Sequence, residues 1–277
     1  MLQVERLSIH FADREEVQEV VRGISFSVQD GEIVGIVGES GSGKTMTALT
    51  IAGLFKEHAV LDAGTIRLDG TDLLKLTERE MRQVQGNRIG MIFQEPMTAL
   101  NPTMKIGRQV EEALRLHTDL DSRARKAAVI RALEEVELDE AEKLLSKYPH
   151  ELSGGMRQRV MIAAAMICRP SLLIADEPTT ALDAATQESI LKLLKKLNDK
   201  YGMSILFISH NLRVVKELCT RVFVMKDGEI LEEGETEVVF QNPKTEYTKA
   251  LIAAIPARVG ENPYYEMLKQ KAGRQYD

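Results

Sequence analysis

The chain has 277 residues, a length that fits one large domain or one domain with a smaller lobe. Lys and Arg number 36 against 42 Asp and Glu, and the formal net charge of −6 argues against a basic surface for DNA or RNA. Hydrophobic residues at 44% and charged residues at 28% are typical of a folded globular protein and exclude a wholly disordered chain.

The sequence offers neither a disulfide framework nor a membrane span. Cys168 and Cys219 are too few for such a framework and too far apart for a CxxC metal site. The longest apolar run, residues 160–168, has about half the length that crosses a bilayer. The N-terminus lacks the cationic and apolar parts of a signal peptide. We therefore expect a cytosolic chain that reaches a membrane only through partner proteins.

The N-terminal region predicts strands and then a strand followed by a helix. Apolar residues with a period of two predict two early strands, one with Val4, Leu7, Ile9 and Phe11 and one with Ile24, Phe26 and Val28. After an Asp30-Gly31 turn, the apolar run Ile33–Val37 predicts a buried strand. Glycine-rich sequence separates it from a helical pattern over residues 44–54, so we expect a strand-loop-helix unit.

Turn and capping signals divide the chain further. Asp69-Gly70 and Asp227-Gly228 follow β-like runs and predict hairpin turns, because such pairs accept a positive φ. Thr77, with Glu80 three residues later, predicts the capped start of a helix.

The middle of the chain predicts a helical insert. A strand-like run over residues 89–93 precedes it, and residues 106–147 are mostly helical in pattern. Ser122 is expected to cap one of these helices.

The following segment alternates helices and strands. The pattern predicts a helix over residues 155–169, a strand over 172–175, a helix over Ala184–Tyr201 and a strand over 204–208. Such alternation predicts a parallel sheet with helices on its faces.

Residues 38–45 read GESGSGKT, the pattern of a phosphate-binding loop, and are called the phosphate loop below. Glycines there let backbone N–H groups surround phosphate oxygens at a helix N-terminus. Lys44 can reach the β and γ phosphates, and the Thr45 hydroxyl can bind Mg²⁺. A flexible Gly/Ser loop is the alternative, which the position between strand and helix disfavours. The candidate nucleotide-binding residues are Gly38, Glu39, Ser40, Gly41, Ser42, Gly43, Lys44 and Thr45.

Two further segments have the chemistry of a nucleotide site. Asp176 and Glu177 end an apolar run, where one can hold Mg²⁺ and the other can polarise a water, although two acids after a strand are commonly a solvated loop. Ser153 precedes two glycines and a helix, which fits an ordinary N-cap and an anion site equally well.

Five motifs in this order resemble the ATP-binding cassette (ABC) ATPases. They are the phosphate loop, Gln94 in FQEP, LSGGM at residues 152–156, ADEPTTALD at residues 175–183, and His210 in ISH. The resemblance implies an α/β fold of the P-loop NTPase type. It would have a parallel-sheet RecA-like core, an N-terminal antiparallel β subdomain and an inserted α-helical subdomain at about residues 97–152.

The resemblance also implies a nucleotide sandwich of two cassettes, in which the LSGGM segment of one closes on the ATP of the other. Ser153, Gly154 and Gly155 would then bind nucleotide across the interface, and Asp183 would link the two sites.

Roles for the remaining candidates are implied in the same way. Glu177 would be the catalytic carboxylate, and His210 would bond the γ-phosphate, although a lone His at a strand end is usually structural. Gln94 would contact Mg²⁺ and the attacking water, with Asp176 and Thr45 as further Mg²⁺ ligands. Phe11 would stack on adenine, with a core Phe as the alternative.

Two segments resemble more closely the ATPases of the oligopeptide and dipeptide (peptide/nickel) permeases. Residues 94–102 read QEPMTALNP, and residues 241–251 read QNPKTEYTKAL. Residues 1–255 are expected to form the cassette and residues 256–277 a C-terminal tail. Many members of the subgroup carry a cysteine cluster in the tail, whereas residues 258–277 here contain no cysteine, so no iron–sulfur site is expected.

The function implied is an ATP hydrolase, with ATP and Mg²⁺, that powers import of peptides at the cytoplasmic face of the cell membrane. Its partners would be a second cassette (a paralogue or an identical copy), two transmembrane permease subunits and an extracytoplasmic substrate-binding protein, with no nucleic acid. Import of nickel or metal chelates and a soluble complex such as a phosphonate carbon–phosphorus lyase are alternatives. A DNA-repair or translation ATPase is disfavoured by the single set of motifs.

Overall fold

The computed structural model describes residues 1–12, 17–55, 58–180 and 182–255. The N-terminal region forms an antiparallel sheet of the strands β1 (Leu2–Ala12), β2 (Val17–Val28), β4 (Ala59–Leu68) and β5 (Thr71–Asp72). The strand order is β2-β1-β4-β5. The β4–β5 hairpin turns at Asp69 and Gly70, with φ values of 49° and 80°. The predicted turn is confirmed.

A second sheet contains the six strands β3 (Ile33–Val37), β6 (Ile89–Ile92), β7 (Leu172–Asp176), β8 (Ser204–Ser209), β9 (Arg221–Lys226) and β10 (Glu229–Glu235). Their order is β10-β9-β3-β8-β7-β6, and all neighbours are parallel except in the β9–β10 hairpin. The predicted parallel sheet and the turn at Asp227-Gly228 are confirmed.

Helices pack against these sheets. The helices outside residues 93–153 are α1 (Lys44–Ile51), α2 (Glu78–Val84), α7 (Gly154–Met166), α8 (Ala184–Tyr201), α9 (Leu212–Leu218), α10 (Thr236–Gln241) and α11 (Glu246–Ala253). The segment between β6 and α7 contains α3 (Pro96–Ala99), α4 (Ile106–His117), α5 (Ser122–Glu135) and α6 (Ala141–Leu144). Two short 3₁₀ helices are Leu73–Lys75 and Pro149–Glu151.

Two hydrophobic clusters explain why the interior positions of the parallel strands are mostly apolar. Ile33 and Val37 of β3 join a cluster with α4, α5, α7, α8 and α9, whereas Val34 and Ile36 join one with the antiparallel sheet, α1 and α2. Alternate residues of a strand point to opposite faces, so both faces of the parallel sheet are covered. The predicted α/β fold, with an antiparallel β region and an inserted helical region, is confirmed.

Helix ends match the sequence pattern to different degrees. α8 has both predicted ends. α1 ends at Ile51 rather than at residue 54, because Gly53 takes a φ of 68° and the Leu54 N–H bonds back to the Leu49 carbonyl at 2.8 Å. The strand before the insert ends at Ile92, one residue before the predicted end.

The expected cap of α5 is wrong by one residue. Asp121 is the N-cap, with an extended backbone and a carboxylate oxygen that accepts the Ala124 N–H at 2.7 Å. Ser122 is the first helical residue. Both residue types cap helices well, so the local sequence alone did not separate them.

Within the residues that the structure describes, no helix is both long enough and apolar enough to span a membrane. The division of the chain into a cassette and a tail stays a prediction, because residues 256–277 lie outside the described residues.

Replacing the cap of α5 tests the observed helix start. We expect Asp121→Ala to lower the free energy of unfolding by about 1 kcal/mol, because the Ala124 N–H loses its partner. Ser122→Ala is the matched control and should change it by less than about 0.5 kcal/mol. Urea unfolding followed by circular dichroism measures both, and a larger loss in the Ser122 variant would contradict the assignment.

Candidate functional site

The phosphate loop joins the buried end of β3 to the start of α1. Gly43 is the N-cap of α1 and provides no side chain for capping. The first N–H groups of the helix therefore have no side-chain cap and form the positive end of the helix dipole. This geometry suits an anion.

A glycine is required where the loop meets the β9–β10 hairpin. A Cβ built on Gly38 would lie 2.0 Å from the Met225 carbonyl oxygen. The Gly228 N–H also donates to the Ser42 carbonyl at 3.2 Å. The hairpin thus supports the loop from one side, and Gly38 permits the close approach.

Lys44 lies inside the curve of the loop. Its Nζ donates to the carbonyl oxygens of Gly38 at 2.9 Å and Glu39 at 2.7 Å, and to Ser42 Oγ at 3.2 Å. The residue is 4% exposed. Burial lowers the pKa of this ammonium, while the charges of Glu177, Asp176 and Glu39 act in the opposite direction. A buried positive charge therefore lies where the phosphate loop would receive phosphate.

The end of β7 places a carboxylate beside the loop. Asp176 is 3% exposed, and its Oδ1 accepts a hydrogen bond from Thr45 Oγ1 at 3.2 Å. Carboxylate and hydroxyl oxygens are ligands that Mg²⁺ prefers, and in nucleotide sites phosphates usually complete its shell. In the described part of the chain no three His, Cys, Asp or Glu residues cluster as a metal site. The Thr45 hydroxyl and the Asp176 carboxylate lie together beside the phosphate loop, where they could hold Mg²⁺ with phosphate oxygens as its further ligands.

Glu177 is the centre of a group of polar side chains. Its Oε2 accepts hydrogen bonds from Gln94 Nε2 at 3.3 Å and Thr180 Oγ1 at 2.9 Å, and lies 2.9 Å from His210 Nδ1. The Glu177 side chain is 13% exposed and that of His210 is 52% exposed. The arrangement holds a carboxylate at the edge of solvent, where it can polarise a water molecule.

A pocket of about 650 Å³ contains most of these groups. Such a volume suits a ligand of nucleotide size. The residues that were predicted from the sequence and that line this pocket are Phe11, Gly38, Glu39, Ser40, Gly41, Gly43, Lys44, Thr45, Gln94, Glu177 and His210. Ser42 and Asp176 lie buried beside it through their bonds to Lys44 and Thr45. Phe11 also packs against the cluster under the antiparallel sheet, so its ring is both part of the pocket wall and part of the edge of the core.

The remaining candidates form a second group outside this pocket. Ser153 caps α7 by accepting the Met156 N–H at 3.3 Å, and the glycines Gly154 and Gly155 begin the helix. A Cβ on Gly155 would lie 2.9 Å from Thr186 Cγ2, so the starts of α7 and α8 are close. None of Ser153, Gly154, Gly155 and Asp183 is among the described residues that line the pocket.

Asp183 caps α8 within this second group. It accepts hydrogen bonds from the Ala185 N–H at 3.1 Å, the Thr186 N–H at 3.0 Å and the Thr186 hydroxyl at 2.7 Å. The hydroxyl bond is the main cause that lowers the pKa of Asp183. The carboxylate therefore stays ionised at the start of the helix.

Several site residues were not predicted from the sequence. Thr180 contacts Glu177 from three residues along the chain, inside a motif already noted. Tyr247 accepts the Glu39 N–H at 3.1 Å from α11, a contact that no local pattern indicates. The other unpredicted lining residues are Val20, Met46 and Leu251.

Comparison with known proteins shows the family to which this chain belongs. The family model described as ABC transporter matches residues 21–180, more than half of the chain. The chain belongs to the ABC transporter ATP-binding family. The phosphate loop, Gln94 and Glu177 lie within the matched segment, whereas His210 and α11 follow it.

Named relatives of this ABC protein cover most of its length. It is 46% identical over 259 residues to "Probable peptide ABC transporter ATP-binding protein y4tR" of Sinorhizobium fredii, covering 93% of this chain and 77% of that protein. It is 44% identical to the dipeptide transport ATP-binding protein DppD of Haemophilus influenzae, covering 100% of this chain and 84% of that protein.

A solved structure shows the same fold. The dimeric post-hydrolysis state of the ATP-binding cassette MJ0796 bound to ADP and Pi matches with a TM-score of 0.77 and 30% identity. The match covers 85% of this chain and 99% of that chain. The ABC ATPase fold expected from the sequence is confirmed.

Substitution of glycines in the phosphate loop tests its packing. We expect Gly38→Ala to lower the free energy of unfolding by about 1–3 kcal/mol more than Gly41→Ala, because a Cβ at position 38 meets a backbone oxygen and a Cβ at position 41 meets nothing within 4 Å. Both positions have a positive φ, so both variants include backbone strain of about 1–2 kcal/mol. Urea unfolding of the nucleotide-free chain measures the difference. Equal losses would contradict the close approach of the hairpin.

Proposed function

We propose that this chain is the ATP-hydrolysing subunit that energises an ABC importer of dipeptides or oligopeptides. The observation that carries the proposal is the meeting of Lys44, the Thr45–Asp176 pair and the Glu177–His210 pair at one pocket. Family membership supports ATP hydrolysis coupled to transport. The names of two relatives, for peptide and dipeptide transport, support the substrate class.

ATP binding would use the phosphate loop. The β and γ phosphates would accept hydrogen bonds from Lys44 Nζ, which gives up its bonds to the Gly38 and Glu39 carbonyls. Phe11, which lines the same pocket, would stack on adenine. Thr45, Asp176 and Gln94 would hold Mg²⁺, which supplies charge neutralisation at the phosphates.

Hydrolysis would use Glu177. Its carboxylate would orient a water molecule and accept its proton as the water oxygen attacks the γ-phosphorus. The bond from that phosphorus to the β–γ bridging oxygen breaks, which releases ADP and inorganic phosphate. Thr180 and Gln94 hold the Glu177 carboxylate, and His210 would turn from it to donate to the γ-phosphate.

A second cassette would complete the site. Ser153, Gly154, Gly155 and Asp183 of one chain are exposed or half-buried and separate from its own pocket. The N-terminus of α7 would therefore contact the γ-phosphate held by the partner cassette, and Asp183 would link the two sites. The dimeric state of the solved MJ0796 cassette supports this arrangement, with a paralogue or an identical copy as the partner.

The other partners would be two transmembrane permease subunits and an extracytoplasmic substrate-binding protein. The chain would then lie at the cytoplasmic face of the membrane and bind no nucleic acid. The exposed apolar side chains of Phe93 and Met97 support a contact with a permease subunit. Gln94 lies between them in the sequence and lines the pocket, so this contact would be coupled to the nucleotide site.

The role of Glu177 is tested by Glu177→Gln. We expect ATP hydrolysis by the purified chain to fall by about 100-fold or more, because an amide cannot accept the proton. ATP affinity should stay within about threefold. Glu142→Gln replaces an exposed carboxylate that does not line the pocket; it is the control and should hydrolyse ATP normally. Normal turnover in a Glu177→Gln preparation of verified purity would refute the assignment.

The role of Lys44 is tested by Lys44→Ala. Titration with a fluorescent ATP analogue should show affinity lower by about 100-fold, because charge-assisted bonds to the phosphates are lost. Lys126→Ala removes an exposed lysine from α5 and should bind as the wild type does. Unchanged affinity in the Lys44 variant would show that the phosphate loop does not receive the triphosphate.

A further inference from the structure

The phosphate loop has a contact with α11 that lies far away in sequence. Tyr247 Oη accepts the Glu39 N–H at 3.1 Å across 208 positions. The Nζ of Lys226, at the end of β9, lies 4.9 Å from the centroid of the Tyr247 ring. Leu251, one helical turn after Tyr247, lines the same pocket as the loop. The helix α11 is therefore part of the wall of the candidate nucleotide site.

The peptide group between Gly38 and Glu39 is held on both sides. Its carbonyl oxygen accepts a hydrogen bond from Lys44 Nζ at 2.9 Å, and its N–H donates to Tyr247 Oη. A peptide group is planar, so two bonds at opposite edges fix its orientation. Two groups therefore orient the start of the loop. Phosphate would attract the Lys44 ammonium away from this peptide, whereas it would leave the Tyr247 hydroxyl in place.

We propose that Tyr247 is a positioning residue for the phosphate loop, whose hydroxyl holds the Gly38–Glu39 peptide while Lys44 exchanges carbonyl oxygens for phosphate. This inference rests on the proposed function, in which Lys44 binds the triphosphate. Once Lys44 leaves the Gly38 carbonyl, the bond to Tyr247 keeps the peptide in its orientation. The loop then does not have to be reordered as the nucleotide binds, and less affinity is lost to ordering.

An uncharged tyrosine hydroxyl suits a position beside the phosphate loop. Burial is the main cause that raises the pKa of the Tyr247 hydroxyl above its usual value. The phenol is therefore neutral near pH 7 and adds no negative charge beside bound phosphates. A carboxylate in its place could accept the same N–H but would repel the ligand.

The ring and the hydroxyl of Tyr247 have separable roles. The ring packs against the larger hydrophobic cluster and so helps to dock α11. The hydroxyl oxygen bonds the phosphate loop. Tyr247→Phe keeps the ring and removes only the acceptor, which makes it the informative substitution.

The test uses the purified full chain with ATP and inorganic tripolyphosphate as probes, each competing with a fluorescent ATP analogue. We expect Tyr247→Phe to weaken the binding of both probes by the same factor, about 3- to 10-fold, because the lost hydrogen bond orients the phosphate loop. The KM for ATP should rise by that factor, with kcat within twofold. The melting temperature of the nucleotide-free chain should fall by no more than about 2 °C.

Tyr201→Phe is the matched control. It removes a hydroxyl of a half-buried tyrosine that binds Glu135, away from the pocket lining. Its affinities should equal those of the wild type.

Three outcomes would count against these assignments. Unchanged affinities in Tyr247→Phe, whatever its melting temperature, would overturn the positioning role and leave the proposed function intact. Weaker binding of ATP with unchanged binding of tripolyphosphate would also overturn the positioning role, because the substitution would then act on the nucleoside part of the site. A wild-type chain that binds neither probe would instead refute the proposed function.

Discussion

The buried ammonium of Lys44 is the constraint around which the candidate site is built. A buried charge is costly unless polar groups surround it, and here the loop supplies two carbonyl oxygens and a hydroxyl. These bonds draw the backbone into a curve around Lys44. The same curve brings Gly38 against the β9–β10 hairpin and the Glu39 N–H against α11. A triphosphate would satisfy the ammonium at least as well as the carbonyls do, so the loop is prepared for a polyanion.

Strand order brings the other groups to this ammonium. The strands β3, β8, β7 and β6 are neighbours in that order and run parallel, so their carboxyl ends meet at one edge of the sheet. The phosphate loop follows β3, His210 follows β8, Glu177 follows β7 and Gln94 lies two residues after β6. Four segments separated by long stretches of sequence therefore converge through the pairing of adjacent strands.

The net charge of −6 is compatible with an anion site because the local field differs from the total. Lys44 and the N-terminus of α1 supply positive potential inside the pocket. The N-terminus of α7, with its Ser153 cap, presents a similar helix start away from that pocket. Two helix starts on different surfaces of one chain are consistent with a site shared between two cassettes.

Sequence patterns predicted most of the strands and helices as far as residue 209, and they identified the residue types that have the chemistry of a nucleotide site. They predicted none of the helices α9, α10 and α11. The apolar runs over residues 33–37 and 172–175 predict strands buried on both faces, and the glycines of residues 38–45 predict a backbone that can surround phosphate oxygens. Tertiary structure alone decided that Asp121 rather than Ser122 caps α5, and that Thr180 and Tyr247 join the site. The physical reason is that local patterns record periodicity and turn preference, whereas a bond across 208 positions depends on how separate elements pack.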